Sequence, residues 1–290
     1  MTNTCIYPVL FLNILSKYYS IPPMNVLKRN NVHVLGHGTR TLLFINGFGC
    51  DQSIWRYILP PLTDQFHLVL FDHVGAGLSD TSAYDPAKYA SLNGYAQDVL
   101  EICEALRLTD VTVVGHSVGA TIGMLAAIQE PSRFQQLLLI CPSPCYLNEA
   151  GYHGGFDRAD IDSLLAFMET DYVGWAESFA PFLMGNPERA SLAAELVHSF
   201  CQNDPAIAKQ FARVTLLSDN RLDATRLTTP CLLVQCAEDI IAPQEVGEYL
   251  QAAIPGAILV TLPVSGHCPH ISAPRETLDV IESALEDGSR

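Results

Sequence analysis

Residues 111–129 read VTVVGHSVGATIGMLAAIQ: a β-branched apolar run, a Gly-His-Ser-Val-Gly pentapeptide, then an apolar stretch of helical length. This order constrains the chain more than any other feature. A strand that passes straight into a helix must turn very sharply, which brings the residues on either side of the apex close together. Glycines at 115 and 119 keep the two elements from colliding, and the Ser117 hydroxyl is left exposed at the helix N-terminus, over the end of a sheet. The pentapeptide alone is a weak signal. The strand before it and the helix after it make it a nucleophile elbow.

A serine hydroxyl attacks poorly until a base takes its proton. Elbow serines are followed later in the chain by an acid and then a histidine, and two segments fit. Residues 231–236 (CLLVQC) form a strand-like run leading into Ala237-Glu238-Asp239, and residues 258–262 (ILVTL) lead into Ser265-Gly266-His267-Cys268-Pro269. Ser117, Asp239 and His267 would then share the strand edge at which open parallel sheets hold ligands. Asp239 is expected to orient the imidazole and stabilise its charged form without taking the proton. Glu238 is expected to point elsewhere along its turn, and Asp219 or Asp223 to be the less favoured source of the acid. His270 is expected to pack behind the site, and His116 to face away from the serine as a structural histidine. An oxyanion needs two preorganised donors. The expected pair is the backbone N–H of Val118 and that of Phe48, in the Gly47-Phe48-Gly49 loop after the run TLLFIN (41–46).

Strand-like runs at 32–34, 41–46, 66–72, 111–114 and 137–141 alternate with helical stretches such as 94–106, and resume at 231–236 and 258–262 before a closing helix at 274–285. Such alternation predicts an α/β fold with right-handed crossovers and a mostly parallel sheet flanked by helices. Strand signals vanish between 146 and 220. There Ile161, Leu164, Leu165 and Met168 share one helical face, and Asp204-Pro205 reads as an N-cap followed by proline at the first helical position. A helical cap inserted over the C-terminal ends of the strands is the expectation. The division is an N-terminal extension (1–28, expected to be poorly ordered), a core (29–145 and 221–290) and the cap (146–220). The apolar run 5–15 lacks a basic flank and a cleavage site and is too short to span a bilayer, and Met24 is an alternative start.

Composition narrows the partners. With 16 Lys+Arg against 31 Asp+Glu and a formal net charge of −15, the chain is ill suited to phosphate backbones or anionic leaflets. A small hydrophobic ligand is expected, with no nucleic acid and no membrane, and the chain is expected to be a monomer. Nine cysteines, an odd number, suit reduced thiols and a cytoplasmic setting better than a disulfide framework. No cofactor or metal is expected. Gly75-Ala76-Gly77 fails as a dinucleotide fingerprint because Asp80 occupies the third glycine position, and Cys141, Cys145 and Cys268 match no zinc spacing.

Beyond the elbow, GFGCDQSIW (47–55), GYAQDVLEICEAL (94–106), GHSVGATIGMLA (115–126), SPCYLN (143–148), GGFDRADIDSL (154–164), GWAESFAP (174–181) and CAEDIIAP (236–243) form a distinctive set. Through them the chain resembles, from about residue 30 to 285, the RsbQ-like branch of the α/β-hydrolases, which includes a bacterial stress-response regulator and the plant karrikin and strigolactone receptors. The resemblance implies an α/β-hydrolase fold with a V-shaped, four-helix cap over an apolar pocket lined by Phe48, Tyr146, Phe156, Trp175 and Phe179. Asn46 departs from the histidine that many relatives carry before the oxyanion loop, which bears on how that loop is held. Two functions follow from the resemblance. One is a serine hydrolase of a small hydrophobic ester or lactone that works through an acyl-enzyme and is coupled to signalling. The other is a ligand-binding regulator or receptor that signals to a protein partner, with slow or incidental hydrolysis. Both need the same three residues. Haloalkane dehalogenase chemistry is disfavoured because the nucleophile is serine rather than aspartate.

Overall fold

The apolar runs become the strands of one seven-stranded sheet, ordered β1-β3-β2-β4-β5-β6-β7. The strands are β1 (His33–Leu35), β2 (Thr41–Ile45), β3 (His67–Leu70), β4 (Val111–His116), β5 (Phe134–Ile140), β6 (Cys231–Glu238) and β7 (Ile258–Ser265). Among the described strands only β1 runs antiparallel, beside β3. The structure, a computed structural model, describes residues 25–287.

Side chains alternate across each strand, so one run of leucines and valines feeds two cores. Leu42, Phe44, Val114, Leu138, Ile140 and Val234 join one cluster, while Leu43, Ile45, Val113, Leu137, Leu139 and Leu233 join the other. Helices α1 (Leu92–Ala105), α2 (Val118–Gln129) and α7 (Gln244–Ala253) pack on the second face, and α8 (Pro274–Asp287) packs on the first. This explains why the central strands have no polar alternation: neither face meets water.

Between β5 and β6 the sheet is interrupted by α3 (Arg158–Thr170), α4 (Tyr172–Met184), α5 (Ala190–Gln202) and α6 (Pro205–Leu216). Their starts are set locally. Asp157 and Asp160 form a reciprocal capping box on α3, Asp171 caps α4, and Asp204 accepts from the Ala206 and Ile207 amides ahead of Pro205 on α6. Helix α3 packs on α4 and α6, and α4 packs on α5. Ile161, Leu165 and Met168 are buried as the helical spacing predicts.

The folded body begins before the boundary expected at residue 28. Asn25 caps a short helix, Val26–Arg29, and Arg29 is held by Asp98 and Glu101, while buried Asn30 donates to the Asp72 carbonyl. The apolar run 5–15 and Met24 lie outside the described residues. Among the described residues no helix is long and apolar enough to cross a membrane.

Candidate active site

The elbow forms where the sequence places it. Ser117 sits at φ 54°, ψ −126°, between the last residue of β4 and the first of α2, and its N–H donates to the Ile140 carbonyl on the neighbouring strand. A left-handed φ at a non-glycine residue costs on the order of 1–3 kcal/mol and persists only where its surroundings enforce it. They do so here by proximity. A Cβ at Gly119 would lie 2.4 Å from the carbonyl oxygens of Ile45 and Asn46, and one at Gly115 would lie 2.8 Å from the Ala120 Cα.

Ser117 Oγ lies 2.7 Å from His267 Nε2, and His267 Nδ1 lies 2.7 Å from Asp239 Oδ2. All three residues are nearly inaccessible to solvent. Asp239 follows β6, and His267 follows β7, one strand further out. The other Asp239 oxygen accepts from the amides of Ile241 and Ala242. Burial by itself would raise the Asp239 pKa. The facing imidazole and the two amides outweigh burial and hold the carboxyl below its ordinary value, so it stays ionised. The competing acids are used elsewhere: Glu238 accepts from Ser265 Oγ, Asp219 pairs with Arg221, and Asp223 pairs with Arg226.

The amides of Val118 and Phe48 have no protein acceptor among the described residues, which leaves both free for an oxyanion. Asn46 fixes the loop that carries Phe48. Its Nδ2 donates to the Phe71 carbonyl, its Oδ1 accepts from Trp55 Nε1 at 2.7 Å, and its carbonyl accepts from His73 Nε2. The asparagine thus spends its side-chain amide on the scaffold. The cap holds the far end of the same loop, because Ser199 and Asn203 both donate to the Gly49 carbonyl, Asn203 at 2.8 Å. No local pattern marks Ser199 or Asn203 for this role, and sequence reasoning missed both.

His116 does not simply face away. Its Nε2 donates to the His267 carbonyl at 2.8 Å, because the loop after β7 folds back over the end of β4. Burial, aided by the like charge of a protonated His267, pushes its pKa down to about 3. His270 packs behind it, between the rings of Trp55 and His116, and burial drives its pKa well below the ordinary value. Cys141 is closer to the chemistry than its spacing suggests. Its ligand atom and those of Asp239 and His267 all lie within 4.8 Å of one another, although the imidazole and carboxylate are bonded to each other and the Cys141 thiol faces Cys236 at 3.6 Å. Burial raises the Cys141 pKa and keeps it a thiol. Cys268 lies in the cavity wall, whereas Cys145 bonds to the Leu147 carbonyl away from it.

Above the serine is an apolar cavity of about 50 Å³. Four of the five expected pocket aromatics, Phe48, Tyr146, Trp175 and Phe179, line it. Phe156 does not: its backbone is paired with Tyr146 and Asn148 in the loop before α3, and its ring packs on the neighbouring core. The Tyr146 hydroxyl lies 3.5 Å from Ser117 Oγ, and burial pushes its pKa up to about 12, so the phenol stays neutral. The rest of the lining is mostly aliphatic and aromatic and comes largely from the cap, including Met168, Leu196 and Phe200.

The same architecture recurs in known proteins. The profile of the "Alpha/beta hydrolase family" matches residues 42–280. The chain is 37% identical over 262 residues to a strigolactone esterase of Arabidopsis thaliana, covering 90% of this chain and 98% of the relative. It is 36% identical over 251 residues to a karrikin insensitive 2 receptor of Petunia hybrida, covering 86% and 92% respectively. A solved hydrolase from Oleispira antarctica superposes with a TM-score of 0.88 at 41% identity, covering 90% of this chain and 96% of that one. With its parallel sheet, its elbow and these full-length relatives, the chain belongs to the alpha/beta hydrolase family.

Proposed function

We propose that this protein hydrolyses a small, largely apolar ester or lactone through an acyl-enzyme on Ser117. The observation that carries this reading is the unbroken hydrogen-bond chain Ser117–His267–Asp239, whose serine and histidine line an apolar cavity. His267 Nε2 would accept the hydroxyl proton as Oγ attacks the carbonyl carbon, and Asp239 would stabilise the resulting imidazolium. The Val118 and Phe48 amides would receive the negative charge that develops on the carbonyl oxygen. His267 would return the proton to the departing alkoxide, and water activated by the same imidazole would free the acid. For a lactone the alkoxide and acyl halves remain one molecule.

A coupling to signalling is favoured by one further observation. The catalytic loop is tied directly to the cap: the His267 amide donates to the Leu183 carbonyl at the end of α4, and Asn186 Nδ2 donates to the Ser265 carbonyl. A ligand that displaces His267 would therefore move α4, the surface a protein partner would read. That fits a family whose members include a named receptor.

The test is intact-mass analysis with p-nitrophenyl acetate, run beside steady-state kinetics. Wild type is expected to release nitrophenolate with an acetyl mass increment that appears and decays, while Ser117→Ala shows no increment and loses roughly 10⁴-fold or more in kcat/KM. Equal behaviour of the two proteins would refute the assignment.

A further inference from the structure

His116 is the residue before the nucleophile, and its side chain meets two further parts of the site. Its Nε2 reaches the His267 carbonyl at 2.8 Å. Beside its Nδ1, a Cβ at Gly47 in the oxyanion loop would lie 2.5 Å away, so the missing side chain there leaves room for the ring. One buried imidazole thus touches the loop of the base and the loop of the oxyanion donor, while its own backbone runs straight into Ser117.

A carbonyl only accepts, so the proton of this hydrogen bond sits on Nε2 and the neutral ring keeps Nδ1 as a bare acceptor. Burial, above all, keeps the ring neutral. Packing rather than a second hydrogen bond sets its plane. Nδ1 has no partner among the described residues, and the His270 ring centre lies 4.4 Å from that of His116 and 4.7 Å from that of Trp55. The base is held from several sides. Its ring nitrogens meet Ser117 Oγ and Asp239 Oδ2, each at 2.7 Å, its amide donates to the Leu183 carbonyl of α4 at 2.9 Å, and its carbonyl accepts from His116. The amide is tied to the cap and the carbonyl to the core, so the carbonyl bond survives a movement of the cap.

From this arrangement we infer that His116 is a positioning residue for the reaction: by donating Nε2–H to the His267 carbonyl it braces the catalytic imidazole against the Ser117 hydroxyl from the core side, independently of the cap. This rests on the hydrolase reading of the same site and adds a residue to it. His116 touches no reacting atom and acts only through the main chain of His267. A side chain locked by its neighbours is suited to that role, because a catalytic group must be held within about 0.5 Å of its productive place. A base displaced by about 1 Å loses about 100-fold in rate.

The test removes the donor while keeping the shape. In His116→Gln the amide nitrogen stands as many bonds from Cβ as Nε2 does and still donates, whereas His116→Met has the same reach and no donor. In stopped-flow acylation by p-nitrophenyl acetate, His116→Met is expected to lose about 100-fold in maximal rate with a half-saturating concentration within about twofold of wild type, and His116→Gln to recover to within about threefold. Leu250→Ala, which opens a cavity in the second core beneath α7, is expected to lower stability and leave acylation unchanged. A second readout needs no turnover. The downfield proton resonance of the His267 Nδ1–H bonded to Asp239 is expected to be sharp in wild type and His116→Gln, and broadened by exchange with water in His116→Met. His116→Asn, whose amide stops one bond short, takes the place of His116→Met if that variant does not fold, and carries the same expectation. Equal losses in the donor and donor-free variants, or no loss in either, would overturn the inference. If wild type is not acylated the hydrolase reading fails, and the resonance still decides whether His116 is the brace.

Discussion

Three buried imidazoles are expected to make the fold sensitive to acid. Burial is the largest cause of the lowered pKa at His73, His116 and His270, and it takes His116 down to about 3. Each is neutral in the folded chain but takes up a proton near pH 6.5 when unfolded. Between those two values the unfolded state binds more protons, so stability is full above about pH 6.5 and falls as the pH drops. Each such histidine contributes a slope of at most roughly 1.4 kcal/mol per pH unit. Urea unfolding from pH 7 to pH 5 is expected to show this slope, and His270→Phe to reduce it. Asp239 acts lower on the scale: its depressed pKa stabilises the fold above about pH 4 and that contribution fades as the carboxyl is protonated below it. Asp239→Asn is expected to fold and to lose about 10⁴-fold in kcat, because an amide no longer enforces the productive tautomer.

At the scale of elements, two loops that border Ser117 are held from above by the cap. Gly266, in the histidine loop, has φ 92°, and a Cβ there would come within 1.9 Å of the Met184 carbonyl oxygen. Gly266→Ala must therefore push α4 and the His267 loop apart. Its expected cost is more than about 1 kcal/mol in stability. A shift near 1 Å at His267 would cost about 100-fold in kcat. Circular dichroism melts and p-nitrophenyl acetate kinetics check the two numbers. In the oxyanion loop, Asn203→Ala removes one of the two side-chain donors to the Gly49 carbonyl. It is expected to lose about 1–2 kcal/mol of stability and to lower kcat/KM, while the Ser117–His267 pair stays intact.

Across the whole molecule, the cap determines what reaches the serine. The apolar cavity is walled largely by cap residues, which favours a short acyl group. For p-nitrophenyl esters from acetate to octanoate, kcat/KM is expected to fall more than tenfold along the series. Leu196→Ala, which opens the wall contributed by α5, is expected to shift the optimum toward longer chains. A flat profile in wild type would show that the cap opens freely. The hydrogen bonds from the His267 and Ser265 loop to α4 make the reverse coupling testable too. Hydrogen exchange in α4 is expected to rise when an acyl group occupies Ser117.

The strands, the elbow and the meeting of Ser117, His267 and Asp239 were legible because each rests on a local pattern joined to one topological rule. Ser117 and His267 are 150 residues apart, yet both sit where a parallel strand ends, and parallel strands end on one edge. Helix starts at Asp157, Asp171 and Asp204 likewise depend on side chains two or three residues from the backbone they cap. No such rule reaches across the cap. That Asn203 holds Gly49, 154 residues away, and that Phe156 lies outside the cavity while Phe200 lines it both follow from how the cap helices seat on the sheet. By itself, then, the sequence determined the sheet and the residues placed at its edge, since backbone periodicity and turn chemistry act over a few neighbours. The size of the cavity and its polar groups were decided only by tertiary packing, because side chains brought together from distant helices compete there for the same space.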